Sequence, residues 1–171
     1  KNLKTLLNAL AILKKMGMGY RMLIAGMGYA ESELKKMAEE LDLTDRVIFL
    51  GPVYDRQYMR CLYCRADLLL FPSLYDNASI VLQEAASQKC PALLVQGSNT
   101  AEGVIDGLNG LLAENSPESI AKKIFDSVRT CDLSKIGENA HETLYRKWES
   151  IVDEVYGRYR EIVSAYKRIR A

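Results

Sequence analysis

From Phe71 to Glu84 the chain reads Phe-Pro-Ser-Leu-Tyr-Asp-Asn-Ala-Ser-Ile-Val-Leu-Gln-Glu, which sets two carboxylates, Asp76 and Glu84, on either side of a helix start. Asn77 can cap a helix that begins near Asn77 or Ala78. The amides around Ala78, Ser79 and Ile80 are then left without intrahelical partners, at the end where the helix dipole favours an anion such as a diphosphate. Glu84, about two turns further along, lies where a carboxylate could accept hydrogen bonds from a ribose diol, and Asp76 could accept from sugar hydroxyls. The residues alone leave a plainer alternative open: Asp76 and Asn77 only cap the helix, and Glu84 is solvated.

A second loop, Gly26-Met27-Gly28-Tyr29-Ala30-Glu31, places two glycines between a strand and a helix. Glycines there allow backbone amides to approach a phosphate or a sugar, although a simple tight turn accounts for Gly26 and Gly28 equally well. A dinucleotide fingerprint would have a third glycine at position 31, where this chain has Glu31, so a nicotinamide cofactor is disfavoured. Cys61 and Cys64 form a C-x2-C pair without a second pair or nearby histidines. Their spacing on a helix predicts that both thiols face one packed surface rather than a zinc ion. His141, the single histidine, sits in a polar helical stretch and is given no catalytic role.

The elements that must position these residues follow from periodicity. Leu3, Leu6, Leu7, Leu10 and Leu13 recur at helical spacing over residues 2–15. Short apolar runs at Arg21–Ala25, Arg46–Leu50, Ala66–Phe71, Ala92–Val95 and Leu111–Ala113 predict strands. Helices are expected over about 30–41, 55–65 and 78–88, and three more from about Pro117 to the end, where Ser116-Pro117 is a helix start. Apolar strands separated by helices imply a parallel sheet buried on both faces, an α/β, doubly wound, Rossmann-like fold. In such sheets ligands bind at the carboxyl ends of the strands, which directs attention to the loops Gly26–Ala30, Leu50–Asp55, Phe71–Ser79 and Val95–Val104.

Size and charge bound the possibilities. A chain of 171 residues fits a single domain over 1–171. A formal net charge of +1, without basic runs interleaved with aromatics, argues against a nucleic-acid partner. No apolar run is long enough to span a bilayer and the start lacks the hydrophobic stretch of a signal peptide, so a cytoplasmic location is expected.

With these residues in view, the chain resembles the retaining GT-B glycosyltransferases of the "group 1" family along nearly its whole length. The family pattern of Pro-Ser, a few residues, Glu-x7-Glu, Ala, a small residue and Gly-x-Pro stands here as Pro72-Ser73, Asp76, Glu84-Ala85 and Cys90-Pro91. Supporting stretches are Lys1-Asn2, Ala25–Gly28, Val47–Gly51, Ala66-Asp67 and Glu102–Gly110, and Trp148-Glu149 followed by a Tyr-containing helix. The resemblance implies the C-terminal half of a GT-B fold that binds a nucleotide diphosphate sugar, expected to be a UDP-hexose, as substrate. It implies that Lys1 contacts the diphosphate together with the amides around Ser79 and Ile80. It implies that Glu84 binds the ribose, that Asp76 faces the transferred sugar, and that the segment from Ile48 to Gly51 flanks the base.

It further implies no cofactor and no bound metal, because cationic side chains and helix amides offset the charge of the leaving diphosphate. The helix over about 148–171 would cross to an N-terminal acceptor-binding domain that is absent from this chain, so the domain alone is expected to be inactive. Leu94–Ser98 with Ala101–Gly103 is similar to bacterial enzymes that glycosylate diacylglycerol-type lipids, which points to a lipid acceptor and a position peripheral to the inner face of the membrane. One departure counts against chemistry: the usual Glu-Gly-Phe-Gly is here Asp76-Asn77-Ala78-Ser79. A non-catalytic nucleotide-sugar-binding module or regulatory subunit on the same fold is therefore the alternative.

Overall fold

The computed structural model describes residues 1–76 and 80–170, with side chains through Tyr166. Seven α-helices and five strands alternate among these residues: α1 Leu3–Lys15, β1 Met22–Ala25, α2 Glu31–Glu40, β2 Val47–Gly51, α3 Arg56–Arg65, β3 Leu69–Phe71, α4 Ile80–Ser87, β4 Ala92–Val95, β5 Leu111–Ala113, α5 Pro117–Thr130, α6 Leu133–Thr143 and α7 Trp148–Arg170. A 3₁₀ turn at Asn99–Ala101 interrupts the loop after β4. All pairings between named strands are parallel.

The core follows from the leucine spacing of α1. Leu6, Leu7, Leu10 and Leu13 are at most 2% exposed and pack with Ile120, Ala121 and Ile124 of α5 and with Leu93 and Leu111 of the sheet. Burying each such side chain contributes about 1.5–3 kcal/mol. The Ser116 hydroxyl caps α5 by accepting from the Ser119 N–H, and Pro117 fills the first turn, where its missing N–H costs nothing. Asp55 caps α3 in the same way, accepting from the amides of Gln57 and Tyr58.

The structure departs from the sequence expectations in four places. The sheet is hydrogen-bonded in two pieces, β1–β2 and β3–β4–β5, rather than as one continuous ribbon. Only β4 is buried throughout. On β1 and β2 the pairs Met22–Val47 and Ile24–Phe49 face the core, whereas the paired Leu23 and Ile48 are each 42% exposed on the opposite face. The third expected strand begins at Leu69 rather than Ala66, because the Ala66 N–H is still bonded to the Leu62 carbonyl as the C-cap of α3. Finally, Cys61 and Cys64 are both exposed: Tyr63, supported by Met59, supplies the packed face of α3, so the thiols flank the buried surface instead of lining it.

The turn joining α4 to β4 is tightly built. Lys89 stands where the family pattern has glycine and takes a left-handed conformation, φ 58°. Against it lies Gly137 of α6, where a Cβ would come within 2.0 Å of the Lys89 carbonyl oxygen. A side chain there would meet backbone, so α6 can approach this turn so closely only through a glycine.

Candidate functional site

The carboxyl end of β3 runs into a loop held from three sides. Asn2 donates through Nδ2 to the Pro72 carbonyl at 3.2 Å and to Asn115 Oδ1 at 2.7 Å, while its own Oδ1 accepts from the Thr5 hydroxyl at 2.7 Å. Ser73 is buried and donates to the Tyr75 carbonyl, and its carbonyl accepts from Thr100 Oγ1 at 3.2 Å. Asn99 then makes a reciprocal pair with Asp76: the Asp76 N–H donates to Asn99 Oδ1 at 3.1 Å, and Asn99 Nδ2 donates to the Asp76 carbonyl at 2.8 Å. Each net hydrogen bond contributes about 0.5–1.5 kcal/mol, so together they fix the path of the chain into α4.

At this fixed edge Lys1 forms an ion pair with Asp76 across 75 positions of sequence, and its ammonium lies 5.2 Å from the centre of the Phe71 ring. Asp76 is the less exposed partner, 24% against 58%. The Asp76 carboxylate thus faces the Lys1 ammonium, the cation that the family resemblance sets against a diphosphate. Asn77, Ala78 and Ser79 lie outside the described residues. Ile80 opens α4 with its side chain exposed.

Glu84 is exposed on α4, and its Oε2 accepts from the Tyr63 hydroxyl at 3.2 Å. Burial pushes the Tyr63 phenol well above its ordinary range, and the neighbouring negative charge of Glu84 adds to the effect. α4 itself is clamped from behind by the end of α6. Gln83 donates to the Leu144 carbonyl at 2.8 Å and accepts from the Arg146 N–H at 3.0 Å, and His141 Nδ1 sits 3.0 Å from the Ala86 carbonyl.

The first loop is different in character. The Gly26 N–H donates to the Gly51 carbonyl at 2.8 Å, and Gly26 takes a φ of 130° that side-chain-bearing residues rarely adopt. Gly28 is exposed, and its carbonyl accepts from the Glu31 N–H at 3.1 Å. Ile48 is the second residue of β2, away from its carboxyl end. The structure therefore brings Lys1 and Asp76 into contact and sets Glu84 on the helix that follows. No direct hydrogen bond joins Glu84 to either of them among the described residues.

The polar clamps at Asn2, Asn99 and Thr100 and the Tyr63 anchor were not legible as functional residues. The available signal was the run Ser98-Asn-Thr100 directly after a buried strand, in a loop at the ligand edge of the sheet. Among the described residues no group of three or more His, Cys, Asp or Glu side chains is arranged to hold a metal ion, and no helix is long and apolar enough to cross a membrane.

A glycosyltransferase from Bacillus subtilis, YqgM, is 28% identical over 127 residues, covering 74% of this chain and 35% of its own length. Sucrose-phosphate synthase from Thermosynechococcus elongatus superposes with a TM-score of 0.81 at 22% identity, covering 95% of this chain and 43% of that one. Anabaena HepE, solved in complex with UDP and glucose, gives 0.74 at 21% identity, covering 90% and 43%. The chain spans about a third of the length of the curated relatives it matches. The fold is the Rossmann-like C-terminal half of a GT-B glycosyltransferase. Residues 1–142 match the family described as Glycosyl transferases group 1, and the chain belongs to that family.

Proposed function

We propose that this domain binds the donor, a uridine diphosphate hexose, for a retaining glycosyl transfer completed by an N-terminal acceptor-binding domain. The observation that carries the reading is the meeting of Lys1 and Asp76 at the carboxyl end of β3, where the chain turns into the helix that bears Glu84. Lys1 exchanges its bond to Asp76 for the donor diphosphate, assisted by the amides around Ser79 and Ile80, and so offsets the charge that grows on the leaving group. Asp76, released, accepts from hydroxyls of the transferred sugar, and Glu84 accepts from the ribose diol. Gly26 and Gly28 leave room for the backbone to approach the sugar, and the β2 segment from Ile48 to Gly51 flanks the base. These side chains and amides do the work of charge compensation without a metal.

The UDP and glucose bound by the Anabaena relative support the choice of donor class. The exposed Trp148, Tyr156, Tyr159, Ile162 and Val163 of α7 supply a face for the acceptor-binding domain. The acceptor is a lipid or cell-envelope component, met at the inner face of the membrane.

Calorimetry on the full-length protein with uridine diphosphate tests the reading. Binding is expected, and Glu84→Ala should weaken it by roughly tenfold or more, the loss of hydrogen bonds to a charged acceptor. Unchanged affinity in that variant would remove Glu84 from the donor site.

A further inference from the structure

We propose that Tyr63 is a positioning residue that holds the Glu84 carboxylate in the orientation a ribose diol requires, an inference that rests on the donor-site reading above. Tyr63 is 8% exposed and packs with Ala85 and Cys90, flanked by Met59 and Leu69. It belongs to α3, whose start is fixed by the Asp55 cap. Because the ring is held by packing on a capped helix, its hydroxyl is a stationary donor, and it points at Glu84 Oε2 from 3.2 Å.

Glu84 has no comparable support of its own. A glutamate on an exposed helix face samples many rotamers, and selecting one of them at the moment of binding costs entropy. The bond from Tyr63 makes that selection before a ligand arrives. It also spares acceptor capacity, since a carboxylate offers about four lone-pair sites and Oε1 accepts no hydrogen bond among the described residues. A diol can therefore engage Glu84 without displacing Tyr63. Burial and the nearby carboxylate both disfavour ionisation of the phenol, so Tyr63 stays a donor across the working pH range.

A purely structural role has a distinct signature. A buried tyrosine hydroxyl generally needs an acceptor, and in that role Glu84 only satisfies it. The two roles separate in the full-length protein when uridine diphosphate is titrated against 2′,3′-dideoxyuridine diphosphate, for the wild type, Tyr63→Phe and Glu84→Ala. Positioning predicts that Tyr63→Phe loses roughly five- to tenfold in affinity for uridine diphosphate and nothing for the dideoxy ligand, the same pattern as Glu84→Ala but smaller. Equal losses for both ligands, or no loss for either, would overturn the role of Tyr63 while leaving that of Glu84 standing. If Glu84→Ala itself binds both ligands like the wild type, the ribose assignment fails, and the positioning role with it.

Discussion

Gly137 and Gly26 mark two regions of the molecule that use glycine for opposite reasons. Around β3, β4 and β5 the backbone is crowded: a Cβ at Gly137 would meet the Lys89 carbonyl, and one at Gly110 would come 2.7 Å from Val104 Cγ1. Around the ends of β1 and β2 there is open space, with nothing within 4 Å of a Cβ built at Gly26, Gly28 or Gly51. At Gly137 and Gly110 glycine answers a shortage of room, and at Gly26 it answers a backbone angle. The helix that carries Glu84 belongs to the crowded region, where position is dictated by contact. The loop assigned to the sugar belongs to the open one.

The contrast can be broken most directly at Gly137. Gly137→Ala should cost about 3 kcal/mol or more, because backbone rather than a flexible side chain must move. Thermal denaturation should show a drop in Tm of roughly 6–12 °C for a domain of this size. An unchanged Tm would mean that α6 does not depend on this approach.

Alkaline pH probes the same crowded region through Cys90, whose thiol burial pushes up to about 11 from 9.0. A raised folded-state value means that this contribution to stability is full below the unfolded pKa and is lost as pH rises from about 9 through about 11. Stability should fall there by up to about 1.4 kcal/mol per pH unit. Urea titrations at pH 8, 9.5 and 11 should show that slope in the wild type and a shallower one in Cys90→Ala.

In the open region the expected effects are smaller and conformational. Gly26→Ala should cost about 1–2 kcal/mol from its φ of 130° alone, and Gly28→Ala, with ordinary φ and free space, under about 0.5 kcal/mol. Comparable losses for the two would show that backbone angle does not govern this loop. Smallest of all, Lys89→Gly should stabilise by about 0.5 kcal/mol, the left-handed strain relieved less the added freedom of the unfolded chain. A destabilisation would mean that the lysine side chain contributes more than its backbone costs.

How far the sequence can be read follows the range of the interactions. The helix over 2–15 and the start at Ser116-Pro117 were legible because leucine spacing and capping act within a few residues. Asp76 and Glu84 stood out for the same reason, beside a local helix start. The break between the two pieces of sheet, the open face at Leu23 and Ile48, and the exposure of Cys61 and Cys64 depend on which faces acquire neighbours, and a period of two or of 3.6 does not specify that. The clamps on the Ser73–Asp76 loop span 23 to 70 positions, and Tyr63 reaches Glu84 across 21. Their partners are chosen by packing, so no local pattern announces them.

The ion pair between Lys1 and Asp76 has a kinetic consequence. A cleft lined by one sign of charge draws oppositely charged ligands from a distance, with rates that fall steeply as salt is added. Here the cation and the carboxylate largely cancel one another's far field while the site is at rest. The pair should therefore add little to the salt dependence of encounter with a polyanion, and its part in discriminating among such ligands should rest on how long each one stays.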